Sequence, residues 1–181
     1  MIGKRILLIA LVLLSPFLRA ADIKSEDQVL PETKLISLKI ELPALAEPIG
    51  NYVPAVRSGD LVFLSGTGPI LPDGTVITGR LGDDISIEDG YAAARLTAIQ
   101  HLAMLKKSIG SLNKVKRIVR VFGMVNSDPS FTEQPKVING YSDLMVEVFG
   151  EKGKHARSAV GMASLPMGIP VEIEAIVEVE H

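Results

Sequence analysis

The stretch ARSAVGMASLPMGIPVEIEAIVEV, residues 156–179, holds two strand patterns on either side of a segment rich in turn-forming residues. In the second pattern every other residue from Val171 to Val179 is apolar, and Glu172, Glu174 and Glu178 lie between them. A period of two residues is typical of a strand that buries one face. We therefore predict strands over residues 157–163 and 171–179, joined by a turn at residues 165–170.

Further strands are predicted upstream of this stretch. Residues 52–57 and 61–65 are rich in β-forming residues, and Ser58-Gly59-Asp60 between them favours a hairpin turn. A second turn at residues 71–74 leads into a short strand over residues 75–78. Residues 117–125 alternate apolar and polar side chains, which predicts one more strand.

Two helices are predicted between these strands. Ser86 and Asp89 form a capping-box pattern, and apolar residues then recur every three or four positions as far as Ile109, where Gly110 is a suitable C-terminal cap. A similar apolar stripe predicts a second helix over residues 131–149. Strands that enclose two helices without regular alternation indicate an α+β fold, in which both helices pack on one face of a mixed sheet.

The first twenty residues have the pattern of a secretory signal peptide. Lys4 and Arg5 precede an uninterrupted apolar run at residues 6–14, and small residues follow at Ala20 and Ala21. The run is shorter than the roughly 20 residues of a membrane-spanning helix, which argues against an uncleaved anchor. We therefore predict an exported protein, periplasmic or secreted, with a signal peptide at residues 1–20 and no membrane attachment after cleavage.

The rest of the chain divides at Gly50. Residues 21–49 are polar and contain three prolines, so we predict an N-terminal extension with a short helix over residues 32–40. Residues 50–181 hold the predicted strands and the two long helices, and their number fits one globular domain.

Composition excludes several kinds of chemistry. The chain has no cysteine, which rules out disulfides, thiolate metal sites, iron–sulfur clusters and a cysteine nucleophile. Three histidines leave little material for a metal centre, so we predict no metal site. The first twenty residues carry three basic and no acidic side chains, so removing them changes the net charge of -2 to -5. An acidic body is a poor nucleic-acid binder, since phosphate neutralisation supplies most of that affinity.

Arg157 and Glu172 are the sharpest candidates for a functional site. An arginine near the start of a strand can present a planar fork of donors that binds a carboxylate at two points. Glu172, fifteen residues later, could reach the same pocket from a neighbouring strand. The alternative is an exposed ion pair across two strands, which contributes less than ~1 kcal/mol. The spacing alone leaves both interpretations open.

Three other features carry weaker signals. His155 could titrate near neutral pH, but we interpret it as an exposed loop residue. His101 falls between Ala98 and Leu102 in the first long helix, where a packed or half-exposed side chain is expected. Ser65-Gly66 is consistent with a polar pocket wall or with a simple bulge in a strand.

Several motifs in order resemble the RidA/YjgF family of reactive intermediate deaminases, from about Gly50 to Glu180. The motifs are Gly50-Asn51-Tyr52, Leu64-Ser65-Gly66 with Pro69, Asn139-Gly140-Tyr141, and residues 156–175. The last of these is the most specific. The resemblance implies a chorismate-mutase-like α+β fold and a homotrimer with clefts between subunits. It also implies cofactor-free hydrolysis of enamine and imine intermediates, such as 2-aminoacrylate and 2-iminopropionate, to 2-oxo acids and ammonia.

The resemblance also implies residue roles. Arg157 would grip the substrate carboxylate, and Glu172 would hold water and relay protons. The cleft would be lined by Tyr52, Ser65, Gly66 and Asn139, with Tyr52 from one subunit and Arg157 from its neighbour. Two departures from the family pattern are His155, in place of a usual Pro or Ala, and Ala159, in place of a common cysteine.

Two other functions are consistent with this sequence. An exported trimer could bind small carboxylate metabolites without turning them over, which the altered pocket and the predicted compartment favour. Endoribonuclease activity is attributed to some family members. The acidic net charge and the lack of a basic groove in the sequence disfavour it here.

Overall fold

The computed structural model describes residues 29–45 and 50–181. The predicted signal peptide lies outside these residues. Within the described chain, no helix has the length and apolar character that a bilayer crossing requires.

A five-stranded mixed sheet forms the centre of the molecule. In chain order its strands are β1 (Ala55–Ser58), β2 (Leu61–Thr67), β3 (Val115–Asn126), β4 (Ala156–Met162) and β5 (Val171–Val179). Their order in the sheet is β1-β2-β5-β3-β4. Strands β3 and β4 run parallel, whereas the other pairs are antiparallel. The predicted hairpin and the predicted alternation of β5 are both confirmed.

Two strand predictions need correction. Strands β4 and β5 follow each other in sequence, but β3 lies between them in the sheet. The strand predicted at residues 75–78 is reduced to one bridge between Ile70 and Val76. The pairing does not extend further because Pro69 has no N–H to donate to the opposite strand. At the other end, Gly79 has a φ of 146°, which is not a strand conformation.

Three helices accompany the sheet: α1 (Pro31–Ser37), α2 (Ile87–Ile109) and α3 (Gln134–Phe149). The capping box of α2 is confirmed, since the Asp89 N–H donates to Ser86 Oγ at 3.1 Å and the Ser86 N–H donates to the Asp89 carboxylate at 3.2 Å. Helix α3 begins three residues later than predicted, with Pro135 in its first turn, where a missing N–H has no cost. Helix α1 is shorter than predicted and buries Leu35 against the body.

Helices α2 and α3 lie on one face of the sheet, as predicted. The close approach of the two helices depends on Gly140, because a Cβ there would collide with the backbone carbonyl of Tyr91. A Cβ at Gly123 of β3 would meet the Ile138 side chain of α3 at 2.7 Å, so this helix also rests closely on the sheet. Gly140 therefore sets the distance between the two helices, and Gly123 sets the distance between α3 and the sheet.

The other face of the sheet, called the open face below, exposes apolar side chains. Val56, Phe63 and Val160 are 54%, 42% and 36% exposed. Val56 and Phe63 are direct partners on β1 and β2 and form one apolar patch, whereas Val160 lies on β4 at the opposite edge of the sheet. A sheet normally buries its apolar faces against another layer, and an exposed apolar patch marks an interaction site. The open face is therefore a candidate surface for a protein partner.

Candidate functional site

Arg157 on β4 is held against helix α3. Its Nη1 donates to Asn139 Oδ1 and to Ser142 Oγ, both at 2.9 Å, and its Nη2 donates to the Pro135 carbonyl at 3.4 Å. Asn139 follows Pro135 by four residues, and Ser142 follows Asn139 by three. All three partners therefore lie on one side of helix α3. Burial lowers the pKa of the Arg157 guanidinium, which remains charged because its usual range is so high.

Two N–H groups of the Arg157 guanidinium remain available to bind a ligand. Both Nη1 hydrogens are used, and within the described chain Nε–H and one Nη2–H have no partner. These two donors can bind a carboxylate bidentately, the geometry for which arginine is best suited. Asn139, predicted as a site residue, therefore joins Arg157, and we call this group with Ser142 the arginine half-site.

Ser142 connects Arg157 to His155. His155 Nδ1 lies 2.6 Å from the Gly153 carbonyl, which can only accept, so Nδ1 carries the proton. Burial lowers the pKa of His155, so the ring is neutral and Nε2 accepts from Ser142 Oγ at 3.0 Å. The Ser142 oxygen then accepts from Arg157. His155 does lie in the loop before β4, as predicted, but it is half-buried and not exposed, because these hydrogen bonds hold its ring against α3.

A second buried chain begins at Ser65. His101 Nε2 donates to the Ser65 carbonyl at 3.0 Å, so Nδ1 accepts from the Tyr141 hydroxyl at 2.8 Å. The imidazole is only 1% exposed, which confirms the packed alternative for His101. Burial lowers the pKa of His101 to about 4, partly offset by its bond to Ser65. The Tyr141 ring also meets His155 edge-on, with ring centroids 6.5 Å apart.

The buried His101 predicts a pH dependence of stability. Since its pKa falls from 6.5 in an unfolded chain to about 4 in the fold, the unfolded state binds the extra proton between these values. Stability is therefore complete above pH 6.5 and decreases as the pH falls toward 4. We expect a loss of about 2 kcal/mol in the free energy of unfolding between pH 7 and pH 5.

Urea unfolding at the two pH values measures this loss. The lowered pKa of His155 acts in the same direction, so the variant His101→Gln is needed to separate the two histidines. This variant should lose most of the pH dependence. An unchanged difference between pH 7 and pH 5 in His101→Gln would contradict the assignment.

Glu172 on β5 lines a cavity of about 270 Å³ together with Tyr52 and Gly66. Burial raises the pKa of the Glu172 carboxyl, and the neighbouring Glu174 raises it further. A Cβ at Gly66 would collide with Glu172 Oε1, so only glycine leaves the carboxylate its place. We call Glu172, Tyr52 and Gly66 the glutamate half-site.

Ser65 stands beside the glutamate half-site but does not line its cavity. Its hydroxyl donates to the Val53 carbonyl at 2.7 Å, and its own carbonyl accepts from His101. The side chain therefore holds the segment that precedes β1 in place next to the cavity. No group of three metal-ligating side chains comes together anywhere in residues 29–45 and 50–181.

One chain does not bring Arg157 and Glu172 together. Arg157 pairs with Val121 of β3 and Glu172 with Met124 of the same strand, from opposite sides. Standard strand spacings then separate their Cα atoms by about 14 Å. Arg157 contacts α3, whereas Glu172 alternates with buried residues of β5 and so faces the open side. Within one chain, Arg157 and Glu172 therefore neither share a pocket on neighbouring strands nor form a surface ion pair, so both predictions are wrong.

Sequence reasoning missed Ser142 and the role of His155. Ser142 follows the candidate Asn139 by three residues on a predicted helix, so its place on the same stripe was a usable signal. The bond between Ser142 and His155 depends on how the loop after α3 returns to β4, which no local pattern indicates.

These features define an α+β protein with a mixed sheet, two helices on one face and a pair of half-sites. Residues 32–173 match the model of a family described as YjgF/chorismate-mutase-like endoribonucleases. The chain belongs to this RidA/YjgF family and has its chorismate-mutase-like fold. The resemblance seen in the sequence motifs is thus confirmed, and the matched region begins within α1, at residue 32.

Individual relatives cover most of the chain. Protein TCP17 of Trypanosoma cruzi is 48% identical over 80% of this chain and 91% of its own length. A 2-iminobutanoate/2-iminopropanoate deaminase of Dermatophagoides farinae is 32% identical over 78% of this chain and 95% of its own length. A solved Agrobacterium tumefaciens protein, titled as of unknown function, is 44% identical with a TM-score of 0.76, and the match covers 83% of this chain and 94% of that one.

Proposed function

We propose that this protein is a hydrolytic deaminase that converts 2-imino acids, including those formed from 2-enamines, to 2-oxo acids and ammonia. The observation that carries the proposal is the pairing of chemistries in the two half-sites: a guanidinium with a free bidentate edge and a desolvated carboxyl beside a cavity. The similarity to the 2-iminobutanoate/2-iminopropanoate deaminase of Dermatophagoides farinae supports the same reaction class.

The proposed assembly is a homotrimer. A second copy would cover Val56, Phe63 and Val160 on the open face, which the helices of the same chain leave exposed. A cyclic arrangement repeats one heterologous contact, so each arginine half-site can meet the glutamate half-site of the next subunit. The 14 Å separation within one chain, estimated from strand spacing, is then no obstacle.

The proposed reaction is R–C(=NH₂⁺)–COO⁻ + H₂O → R–CO–COO⁻ + NH₄⁺. Arg157 binds the carboxylate and so fixes the C=N carbon in one position, which removes much of the entropic cost of the encounter. Glu172 takes a proton from water as the oxygen adds to this carbon. The same carboxyl then returns the proton to nitrogen, and the C–N bond breaks as the carbonyl forms. The proton of the added hydroxyl passes through Glu172 to the departing ammonia, which is released as ammonium. An enamine first gains a proton at its terminal carbon.

The raised pKa of Glu172 suits this role. A group that accepts and returns a proton works best when its pKa approaches the working pH, and such help is worth roughly 10²–10⁴-fold in rate. The acidic net charge of the chain, -2, disfavours RNA as a substrate, because neutralisation of phosphates supplies most of the affinity for nucleic acids.

A coupled assay tests the proposed reaction. An amino-acid oxidase generates the imino acid in solution, and the appearance of 2-oxo acid is followed with and without the protein. We expect the protein to accelerate this step above spontaneous hydrolysis. An unchanged rate, combined with calorimetric binding of pyruvate, would instead support a carboxylate-binding protein without turnover.

A further inference from the structure

Arg157 keeps its charge available for an anion because its hydrogen-bond partners are neutral. Nη1 donates its two hydrogens to Asn139 Oδ1 and to Ser142 Oγ, each at 2.9 Å. Asp143 acts on the charge of Arg157 through space, but its carboxylate accepts from the Tyr91 hydroxyl of α2 at 2.9 Å. Among the described residues the guanidinium is thus held without an ion pair, and its charge remains for a ligand.

The direction of the bond between Ser142 and His155 is fixed by Gly153. The Gly153 carbonyl can only accept, so His155 Nδ1 donates to it at 2.6 Å, and the neutral ring has an unprotonated Nε2. This Nε2 accepts the single hydroxyl proton of Ser142 at 3.0 Å. Both lone pairs of Ser142 Oγ are then free to accept, and one of them receives a hydrogen of Arg157 Nη1.

The two bonds from Nη1 fix the plane of the guanidinium. Because the group is rigid and planar, holding both Nη1 hydrogens on α3 also sets the direction of the free Nε–H and Nη2–H of Arg157. A Ser142 hydroxyl that turned its proton toward Arg157 would repel it. By accepting this proton, His155 excludes that orientation. The free edge of Arg157 is therefore oriented before a ligand arrives.

We propose that Ser142 and His155 are positioning residues, which hold the free edge of Arg157 in the orientation that binds the substrate carboxylate. This inference rests on the proposed deaminase function, in which Arg157 binds that carboxylate. Neither Ser142 nor His155 touches the substrate, and both act through Arg157. A side chain that is ordered before binding loses less conformational entropy when the ligand arrives, so the benefit is a gain in affinity.

Ser142→Ala is expected to weaken the binding of pyruvate in calorimetry by about 3- to 10-fold, because the ligand then has to order a long side chain. KM for 2-imino acids should rise by the same factor, whereas kcat should change by less than about 2-fold. Ser108→Ala makes the same change at an exposed position of α2 and should bind pyruvate as the wild type does. Thermal unfolding checks that both variants fold. A lower kcat with unchanged KM in Ser142→Ala would contradict the proposal.

Two variants of His155 separate its hydrogen bond from its volume. The side-chain carbonyl of glutamine can accept from Ser142 as Nε2 does, whereas leucine fills the space without an acceptor. His155→Leu should therefore weaken pyruvate binding about as much as Ser142→Ala does, and His155→Gln should recover most of the difference. Equal affinities of His155→Leu and His155→Gln would overturn the role of His155.

Double variants show whether the residues act through one another. Ser142→Ala combined with His155→Leu should lose no more affinity than either change alone, since both interrupt the same chain of bonds. In an Arg157→Ala background, Ser142→Ala should cause no further loss. Losses that add in either combination would contradict the proposal.

The same binding data distinguish this inference from the proposed function. If Arg157→Ala binds pyruvate weakly while Ser142→Ala and His155→Leu bind it as the wild type does, the positioning roles are overturned and the deaminase function stands. If Arg157→Ala itself binds pyruvate as tightly as the wild type, the proposed function fails and this inference fails with it.

The tautomer of His155 gives a check that needs no ligand. A ¹H–¹⁵N correlation spectrum of the imidazole groups at neutral pH should show a ring with protonated Nδ1 and unprotonated Nε2, and its signals should disappear in His155→Gln. His101 should show the opposite tautomer, because its Nε2 donates to the Ser65 carbonyl. A protonated Nε2 in His155 would reverse the bond to Ser142 and overturn the proposal.

Discussion

Arg157→Ala is expected to lower kcat/KM for 2-imino acids by about 10³-fold, because two charge-assisted hydrogen bonds to the substrate carboxylate disappear. The fold should survive, since the partners of Arg157 are Asn139, Ser142 and a carbonyl, none of which carries a charge. Steady-state kinetics with the oxidase-coupled assay measures the loss, and thermal unfolding checks the fold.

Two further variants sharpen this prediction. Arg157→Lys keeps the charge but loses the planar fork, so its activity should fall between that of the wild type and that of the alanine variant. Arg117→Ala removes an exposed arginine of β3 that belongs to neither half-site, and it should retain full activity. Wild-type kinetics in Arg157→Ala would remove Arg157 from the site.

The second large effect on activity is expected for Glu172→Gln. The amide preserves the shape of the side chain but cannot take a proton from water, so kcat should decrease by roughly 10²–10⁴-fold. Stability at neutral pH should be equal or higher. Because burial raises the pKa of Glu172, the fold holds its proton more tightly than the unfolded chain does, and the ionised form above that pKa costs stability. Glutamine removes this cost.

Glu174→Gln is the matched control for Glu172→Gln. Glu174 occupies the next position on the same face of β5 and raises the pKa of Glu172 by charge repulsion. Its replacement should keep most of the activity and move the acidic limb of the pH–rate profile to lower pH. If both glutamine variants lose activity equally, Glu172 has no special role in proton transfer.

Local patterns predicted most of the elements. The alternation from Val171 to Val179 and the Ser86–Asp89 capping box depend on residues close in sequence, and the structure agrees with both. The insertion of β5 between β2 and β3 depends on pairing between distant residues, which periodicity does not encode. For this reason the placement of Glu172 on a strand next to Arg157 was wrong.

For the candidate site, too, contacts within one element or between neighbouring elements could be predicted, whereas the arrangement of distant elements could not. Asn139 and Arg157 are hydrogen-bonded, and Tyr52, Gly66 and Glu172 line one cavity. Their grouping into two half-sites could not be predicted, because it depends on strand order and on which face of the sheet each side chain takes. The contribution of His155 also escaped prediction, since its partner Ser142 lies thirteen residues away along the chain.

The central claim, that Arg157 of one subunit works with Glu172 of another, has a direct test. Arg157→Ala and Glu172→Gln chains are expressed together with different affinity tags, and assemblies that carry both tags are purified. In a cyclic trimer of either composition one of the three sites has both wild-type residues, so we predict about a third of the wild-type activity. Activity no higher than that of the two separate variants, or failure to isolate any assembly with both tags, would contradict the account.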